Sequence, residues 1–291
     1  MKPYSKIILF ILFSIFLHGA VFGQSTDITI KDIQIVNQDD TLSGSIFIPK
    51  KYYAAVVLIH GSGQEKRMTD FATLLANEGI AVLTYDKRGV GRSGGIYAGP
   101  EVGTNNIDSA NLHLLASDGS IAIDTLKKYI NRTCFNVGLL GCSQAGFIIP
   151  LIAQKNKQVR FVVIFSGPLI TARKQLRFQF YTNGNLNFWN EHTETEVRQH
   201  IFNDADKYNF VDTDPCKSLS QLNIFGLWIF GGKDIQVPVQ LSIEHLNSLK
   251  KKNKHYEYLL FPSLGHNTAF SNSKQPMVAA IKWIQNLRFK N

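Results

Sequence analysis

The chain has 291 residues, 44% hydrophobic and 18% charged, enough to bury one large α/β core or a core with an insertion. Gly at 22 and Pro at 9 exclude a fibrous or low-complexity chain, and three cysteines exclude a disulfide-dense scaffold. The formal net charge of +9 leaves nucleic acid, anionic lipid and an ordinary basic surface open.

At the start of the chain, Lys2 and Lys6 precede an apolar run over 7–17, and small residues follow at Gly19, Ala20 and Gly23. This is the three-part pattern of a secretory signal peptide. The run is well short of the roughly 20 residues a spanning helix needs. The expectation is a signal over 1–23, an exported domain over 24–291 in the periplasm or outside the cell, and no stable membrane insertion after cleavage. Residues 28–36 (ITIKDIQIV) and 42–48 alternate in the strand manner around the NQDD turn and predict an antiparallel hairpin. The apolar run 54–59 (AAVVLI) predicts a strand covered on both faces. A helix over 68–77, stopped by Gly79, and a strand over 80–85 follow. Further on, a helix over 118–130, a strand over 137–141, a helix over 145–154 carrying Pro150 and a strand over 159–165 continue the alternation. After a break it resumes with a strand at 224–230, a helix near 239–249, a strand at 256–261 and a helix at about 276–287. The rhythm predicts an α/β fold: a mostly parallel central sheet with helices on both faces. The stretch at about 170–222, rich in aromatic and amide residues and without a strong strand, predicts a helical cap insertion.

Chemistry concentrates at 137–146, VGLLGCSQAG. A strand runs into a turn of small residues around Ser143, and an apolar helix follows. In that setting a G-x-S-x-G-like pattern lifts the serine above the sheet. Serine is a poor nucleophile by itself, so it needs a histidine, and the histidine needs an acid to fix its tautomer. Asp234 follows the strand FGLWIF in GGKD, and His266 follows the strand YEYLLF in PSLGHN. Both lie where such sheets build their sites, at the strands' carboxyl ends. Backbone N–H groups of Ser62, in His60-Gly61-Ser62-Gly63, and of Gln144 are the expected oxyanion donors, with Gly63 the alternative to Ser62. His60 is expected to support that turn.

Five motifs fall in one order: LIHGSG at 58–63, YDKRGVGRSGG at 85–95, GLLGCSQAG at 138–146, GGKD at 231–234 and LGHN at 264–267. On these the chain resembles the α/β-hydrolase superfamily. Within it, the chain is similar to the secreted bacterial serine esterases and the prolyl-oligopeptidase-like and dienelactone-hydrolase-like hydrolases. The resemblance covers about 28–290 and implies an acyl-enzyme mechanism at Ser143, Asp234 and His266, without a cofactor or a metal. It implies that Asp86 and Arg88 hold their turn, and that the insertion shapes an acyl pocket. Ala145 departs from the family's usual glycine.

Other readings are weaker. Asp212 and Asp214 lie in the insertion without a preceding core strand, and His255 precedes its strand, at the wrong end of the sheet. His192, Glu196 and His200 could sketch a metal site, but Thr193 with Glu196 makes a capping box that puts His192 ahead of the helix. GVGRSGG at 89–95 lacks the ending of a phosphate loop. The aromatic residues Phe178, Phe180, Tyr181, Phe188 and Trp189 either line an acyl pocket or pack the cap. Losing Lys2 and Lys6 takes the charge from +9 to +7, and the other basic residues are scattered without aromatic interleaving, so no nucleic-acid partner is expected. The expected partner is a small acyl ester. The alternatives are a serine exopeptidase or amidase and a non-catalytic secreted binding protein.

Overall fold

The computed structural model describes residues 27–99, 104–131, 133, 134, 136–205 and 208–287; the expected signal at 1–23 lies outside the described residues. Strands β1 (Ile28–Asn37) and β2 (Asp40–Pro49) form the hairpin, with Asn37 paired to Asp40 across a two-residue turn. Then come β3 (Ala54–Ile59), α1 (Thr69–Asn77), β4 (Ile80–Tyr85), α2 (Thr104–Ile107), α3 (Ser109–Tyr129), β5 (Val137–Cys142), α4 (Ala145–Lys155) and β6 (Phe161–Phe165). Four helices interrupt the alternation: α5 (Ala172–Thr182), α6 (Phe188–Glu191), α7 (Glu194–Asn203) and α8 (Pro215–Ser220). The chain returns through β7 (Phe225–Gly231), α9 (Val239–Lys250), β8 (Tyr256–Phe261) and α10 (Gln275–Asn286).

The strands make one sheet in the order β1-β2-β4-β3-β5-β6-β7-β8. β2 joins β4 antiparallel, and every pair from β4 across to β8 is parallel. The continuous apolar runs reflect this, since a parallel strand under helices has no solvent face. Successive side chains of β3 serve opposite cores. Ala54, Val56 and Leu58 pack with residues of α1 and α10, whereas Ala55, Val57 and Ile59 pack with residues of α3, α4 and α9.

Two elements differ from expectation. The helix expected over 118–130 begins nine residues earlier, where the Asp108 side chain caps it by accepting from the Ala110 N–H. Asp-Gly-Ser at 118–120 imitates a helix start in sequence, yet Asp118 is fully buried and paired with Arg88. A Cβ on Gly119 would stand 2.4 Å from Ile152 Cδ1, so the glycine serves the close approach of α3 and α4. Pro150 neither ends nor shortens α4, which is buried from Ala145 to Ala153. Among the described residues no helix is long and apolar enough to cross a membrane.

Candidate active site

Ser143 is the first residue beyond β5 and takes φ of 55°, a left-handed conformation that costs a non-glycine residue free energy and marks a forced turn. Its N–H donates to the Phe165 carbonyl at 2.9 Å, and its carbonyl receives the Gly146 N–H at 2.8 Å. The departure at Ala145 has a steric explanation. The Ala145 methyl occupies the space that a Cβ on Gly141 would enter, 2.6 Å away, so glycine is needed at 141 rather than 145. At Gly146 an added Cβ would meet Gly167 Cα at 2.9 Å and Pro168 Cδ at 2.7 Å. The tight helix approach therefore falls one residue later than in the usual pattern.

Asp234 and His266 come together directly. His266 Nδ1 lies 2.8 Å from Asp234 Oδ2, while Oδ1 accepts the N–H groups of Gln236 at 2.7 Å and Val237 at 2.9 Å. Asp234 is wholly buried, so its charge rests on these donors. With the carboxylate on Nδ1, the Nε2 edge is left to face a reacting group. The two loops approach closely because Gly231 has no Cβ, which would sit 2.1 Å from the Gly265 carbonyl. Among the described residues, Ser143 Oγ and His266 are not hydrogen-bonded to each other. What connects them is a ladder across β6 and β7. The Ser143 N–H reaches the Phe165 carbonyl, the Ser166 N–H reaches the Ile229 carbonyl at 2.8 Å, and Ser166 Oγ pairs with Thr268 Oγ1 at 2.9 Å.

The turn after β3 carries Ser62, the residue expected to donate to an oxyanion. The N–H groups of Ser62 and Gln144 have no acceptor among the described residues, and both residues line one cavity with Ser143. The Gly61 N–H is already taken by Glu65 Oε2 at 3.1 Å. His60 Nε2 donates to the Tyr85 carbonyl at 2.7 Å, and burial with the nearby Lys87 charge pushes its pKa down to about 3. It is thus a neutral brace under the turn, as expected. Sequence reasoning missed Lys87. Its buried ammonium donates to the carbonyls of Gly61 at 2.7 Å, Ser62 at 3.2 Å and Gly63 at 3.3 Å, and to Gln144 Oε1 at 3.3 Å. One side chain therefore ties the two donor-bearing segments together. In sequence it is only a lysine next to Asp86 and Arg88, which do hold the turn. Arg88 bonds Asp118 through Nε at 2.9 Å and Nη2 at 2.5 Å. Burial works to raise the Asp86 carboxyl, but bonds from Arg67 and the Arg92 N–H outweigh it and hold the pKa low.

The cap is seated on the acid's own loop. Trp189 Nε1 donates to the Asp234 carbonyl at 2.7 Å, Thr182 Oγ1 to that of Ile235 at 2.6 Å, and Gln175 Nε2 to that of Gln236 at 3.0 Å. The aromatic residues of the insertion divide accordingly. Phe178 and Phe188 are buried with Ile235 and Leu241, partly buried Tyr181 and Trp189 pack against them, and exposed Phe180 stacks on Tyr208. None of the five lines the cavity at Ser143. Its cap-side wall is instead Gln175, Leu176 and Gln179, joined by Gln236.

The weaker candidates have other work. Asp214 caps α8, Asp212 accepts the Arg173 N–H, and His255 stacks on Phe225 at the far end of the sheet. The Thr193–Glu196 capping box is present and leaves His192 ahead of α7, bonded to the Tyr181 hydroxyl. Cys134, Cys142 and Cys216 are all free thiols, and burial pushes Cys216 up to about 12, far from a thiolate nucleophile.

With this geometry in place, the chain can be set beside known proteins. The profile of the serine aminopeptidase S33 family, Hydrolase_4, matches residues 50–216. Esterase EstD of Thermotoga maritima is 26% identical over 279 residues, covering 87% of this chain and 63% of that protein. The acylaminoacyl peptidase of Pyrococcus horikoshii superposes with a TM-score of 0.65 at 15% identity, over 92% of this chain and 42% of that one. An esterase of Pyrococcus furiosus superposes with a TM-score of 0.63 at 16% identity, over 89% and 91%. The chain thus spans about three-fifths of the curated esterase's length and about two-fifths of the peptidase's.

Proposed function

The chain belongs to the serine aminopeptidase S33 family of α/β hydrolases, and we propose that it is a serine esterase acting through an acyl-enzyme on Ser143. The observation that carries this reading is the Asp234–His266 pair, at 2.8 Å, in the loops beyond β7 and β8 of the sheet whose β5 ends in the strained Ser143 turn. In the proposed reaction His266 Nε2 takes the Ser143 proton as Oγ attacks the ester carbonyl. Asp234 holds the imidazole in that tautomer and supports the imidazolium. The Ser62 and Gln144 N–H groups receive the oxyanion, and two such donors together are worth several kcal/mol of barrier. His266 then protonates the leaving alcohol and activates water for deacylation. No step in this scheme calls for a cofactor or a metal.

Of the rival readings, exopeptidase and amidase, an exopeptidase working from a free amino terminus would need an acidic group to receive it. None of the residues lining the cavity is acidic, which favours the ester over that exopeptidase. A fluorophosphonate probe on the purified chain, with a panel of acyl esters and aminoacyl amides, tests the reading. Labelling should occur and vanish in Ser143→Ala. Absence of labelling in the folded wild type would favour a binding protein on this scaffold, and hydrolysis of amides but not esters would replace esterase with amidase. We also propose that the protein is exported, on the pattern of Lys2, Lys6 and the apolar run after them. N-terminal sequencing of the mature chain checks this, with Gln24 expected as the first residue.

A further inference from the structure

The cavity beside Ser143 has an unusual wall for an ester-binding site. Its volume is about 30 Å³, room for a water molecule or two. Ser62, Ser143 and Gln144 bound it on the core side with Ile107 and Phe147, and Leu176 with three further glutamines, Gln175, Gln179 and Gln236, bounds it on the other. The Gln144 amide is fully engaged, donating to the Asn106 carbonyl at 3.1 Å and to Asn106 Oδ1 at 2.7 Å while accepting from Lys87. The other three are not. Gln175 Nε2 serves the Gln236 carbonyl and, at 3.5 Å, Gln179 Oε1. Among the described residues that leaves the Gln175 oxygen, the Gln179 amino group and the whole Gln236 side-chain amide without partners. Gln175 is buried, and Gln179 and Gln236 are half-buried at the cavity.

The amide part of this wall penalises a purely alkyl group, which leaves donors and acceptors unpaired, while Ile107, Phe147 and Leu176 accept a short hydrocarbon stem. It rewards a small group that can both donate and accept. No lining residue is charged, which disfavours an ionised group. The cavity also belongs to one side of the reaction. His266 must protonate the leaving alcohol, and it is not among the lining residues, whereas both proposed oxyanion-bearing residues are. The substituent that enters is therefore on the acyl side.

We propose that this cavity selects short, uncharged acyl groups carrying their own hydroxyl, the hydroxyl taking up the free amides of Gln179 and Gln236. The proposal rests on Ser143 being the acyl-transfer nucleophile. Its test is a matched pair of substrates, ethyl 3-hydroxybutanoate and ethyl 3-methylbutanoate, which differ by hydroxyl for methyl. The readout is the ratio of their kcat/KM values by pH-stat, together with fluorophosphonate labelling. The ratio should favour the hydroxy ester by about tenfold, and Gln179→Leu and Gln236→Leu should each erase most of that preference. Because an unfolded fraction lowers both rates alike, the ratio is immune to partial misfolding of a variant. A wild-type chain that is labelled at Ser143 yet shows a ratio of one or less overturns the acyl-class proposal alone, as do ratios unmoved in both variants. A chain that is neither labelled nor active on either ester overturns the nucleophile reading, and this proposal with it.

Discussion

At the scale of single residues, the proposed site pairs an exposed task with a buried support. Asp234 is the clearest case, since its Oδ1 is committed to two backbone N–H groups and only Oδ2 is left for His266. Asp234→Asn can keep the backbone bonds through its oxygen, which turns the amide NH2 toward His266 Nδ1 and forces the wrong tautomer. The expected outcome is a fall in kcat of about 10⁴-fold with the melting temperature little changed. Lys87 plays the supporting part for the oxyanion turn. Lys87→Met preserves the stem but leaves the carbonyls of Gly61, Ser62 and Gly63 without their shared donor. We expect a loss of about 2 kcal/mol in a denaturant titration. We also expect kcat to fall more than KM rises, because displaced donors harm the transition state first. Neither role for Lys87 can be read from YDKRG, where the charge has no visible partner; its partners lie about 25 and 57 residues away.

At the scale of elements, the site depends on how closely the supporting pieces approach. The turn from β5 into α4 is one such place. Gly146→Ala should destabilise by about 1–3 kcal/mol, because its new methyl meets the backbone of Gly167, which cannot swing aside as a side chain can. Chemical denaturation checks this, and a midpoint equal to wild type would contradict it. The seam between cap and acid loop is a second such place. Trp189→Phe keeps the ring packing against Phe178 and Phe188 but gives up the bond to the Asp234 carbonyl. It should cost about 1 kcal/mol of stability. The strands were legible at this scale because the hairpin alternates and the parallel strands are mostly short apolar runs, all set off by turn residues. The start of α3 was not. Asp118 and Gly119 look like a cap in sequence, yet they serve Arg88 and the packing on Ile152, contacts with other parts of the chain.

For the whole molecule, the buried His60 couples the turn after β3 to pH. Its pKa in the fold is about 3, against 6.5 for an ordinary histidine, so below pH 6.5 the unfolded chain takes up a proton that the native chain refuses. Its contribution to stability is therefore complete above about pH 6.5. It declines by about 1.4 kcal/mol per pH unit until the native chain also protonates near pH 3. Glu65, raised by burial, acts in the opposite sense, so the informative measurement is wild type against His60→Gln. The variant should lose the steep part of the profile between pH 6 and 4. By itself the sequence determined the α/β class, the helical insertion and the positions of Ser143, Asp234 and His266. These follow from periodicity and from chemistry placed at strand ends, both of which are local in the chain. Tertiary structure alone decided that the insertion's aromatic residues pack the cap and that its glutamines and Leu176, not its rings, line the cavity at Ser143. It also decided that one lysine binds the turn after β3 and Gln144 together. Those are matters of which face of a helix meets the core and which distant carbonyls converge on one ammonium, and neither leaves a spacing in the sequence to be read.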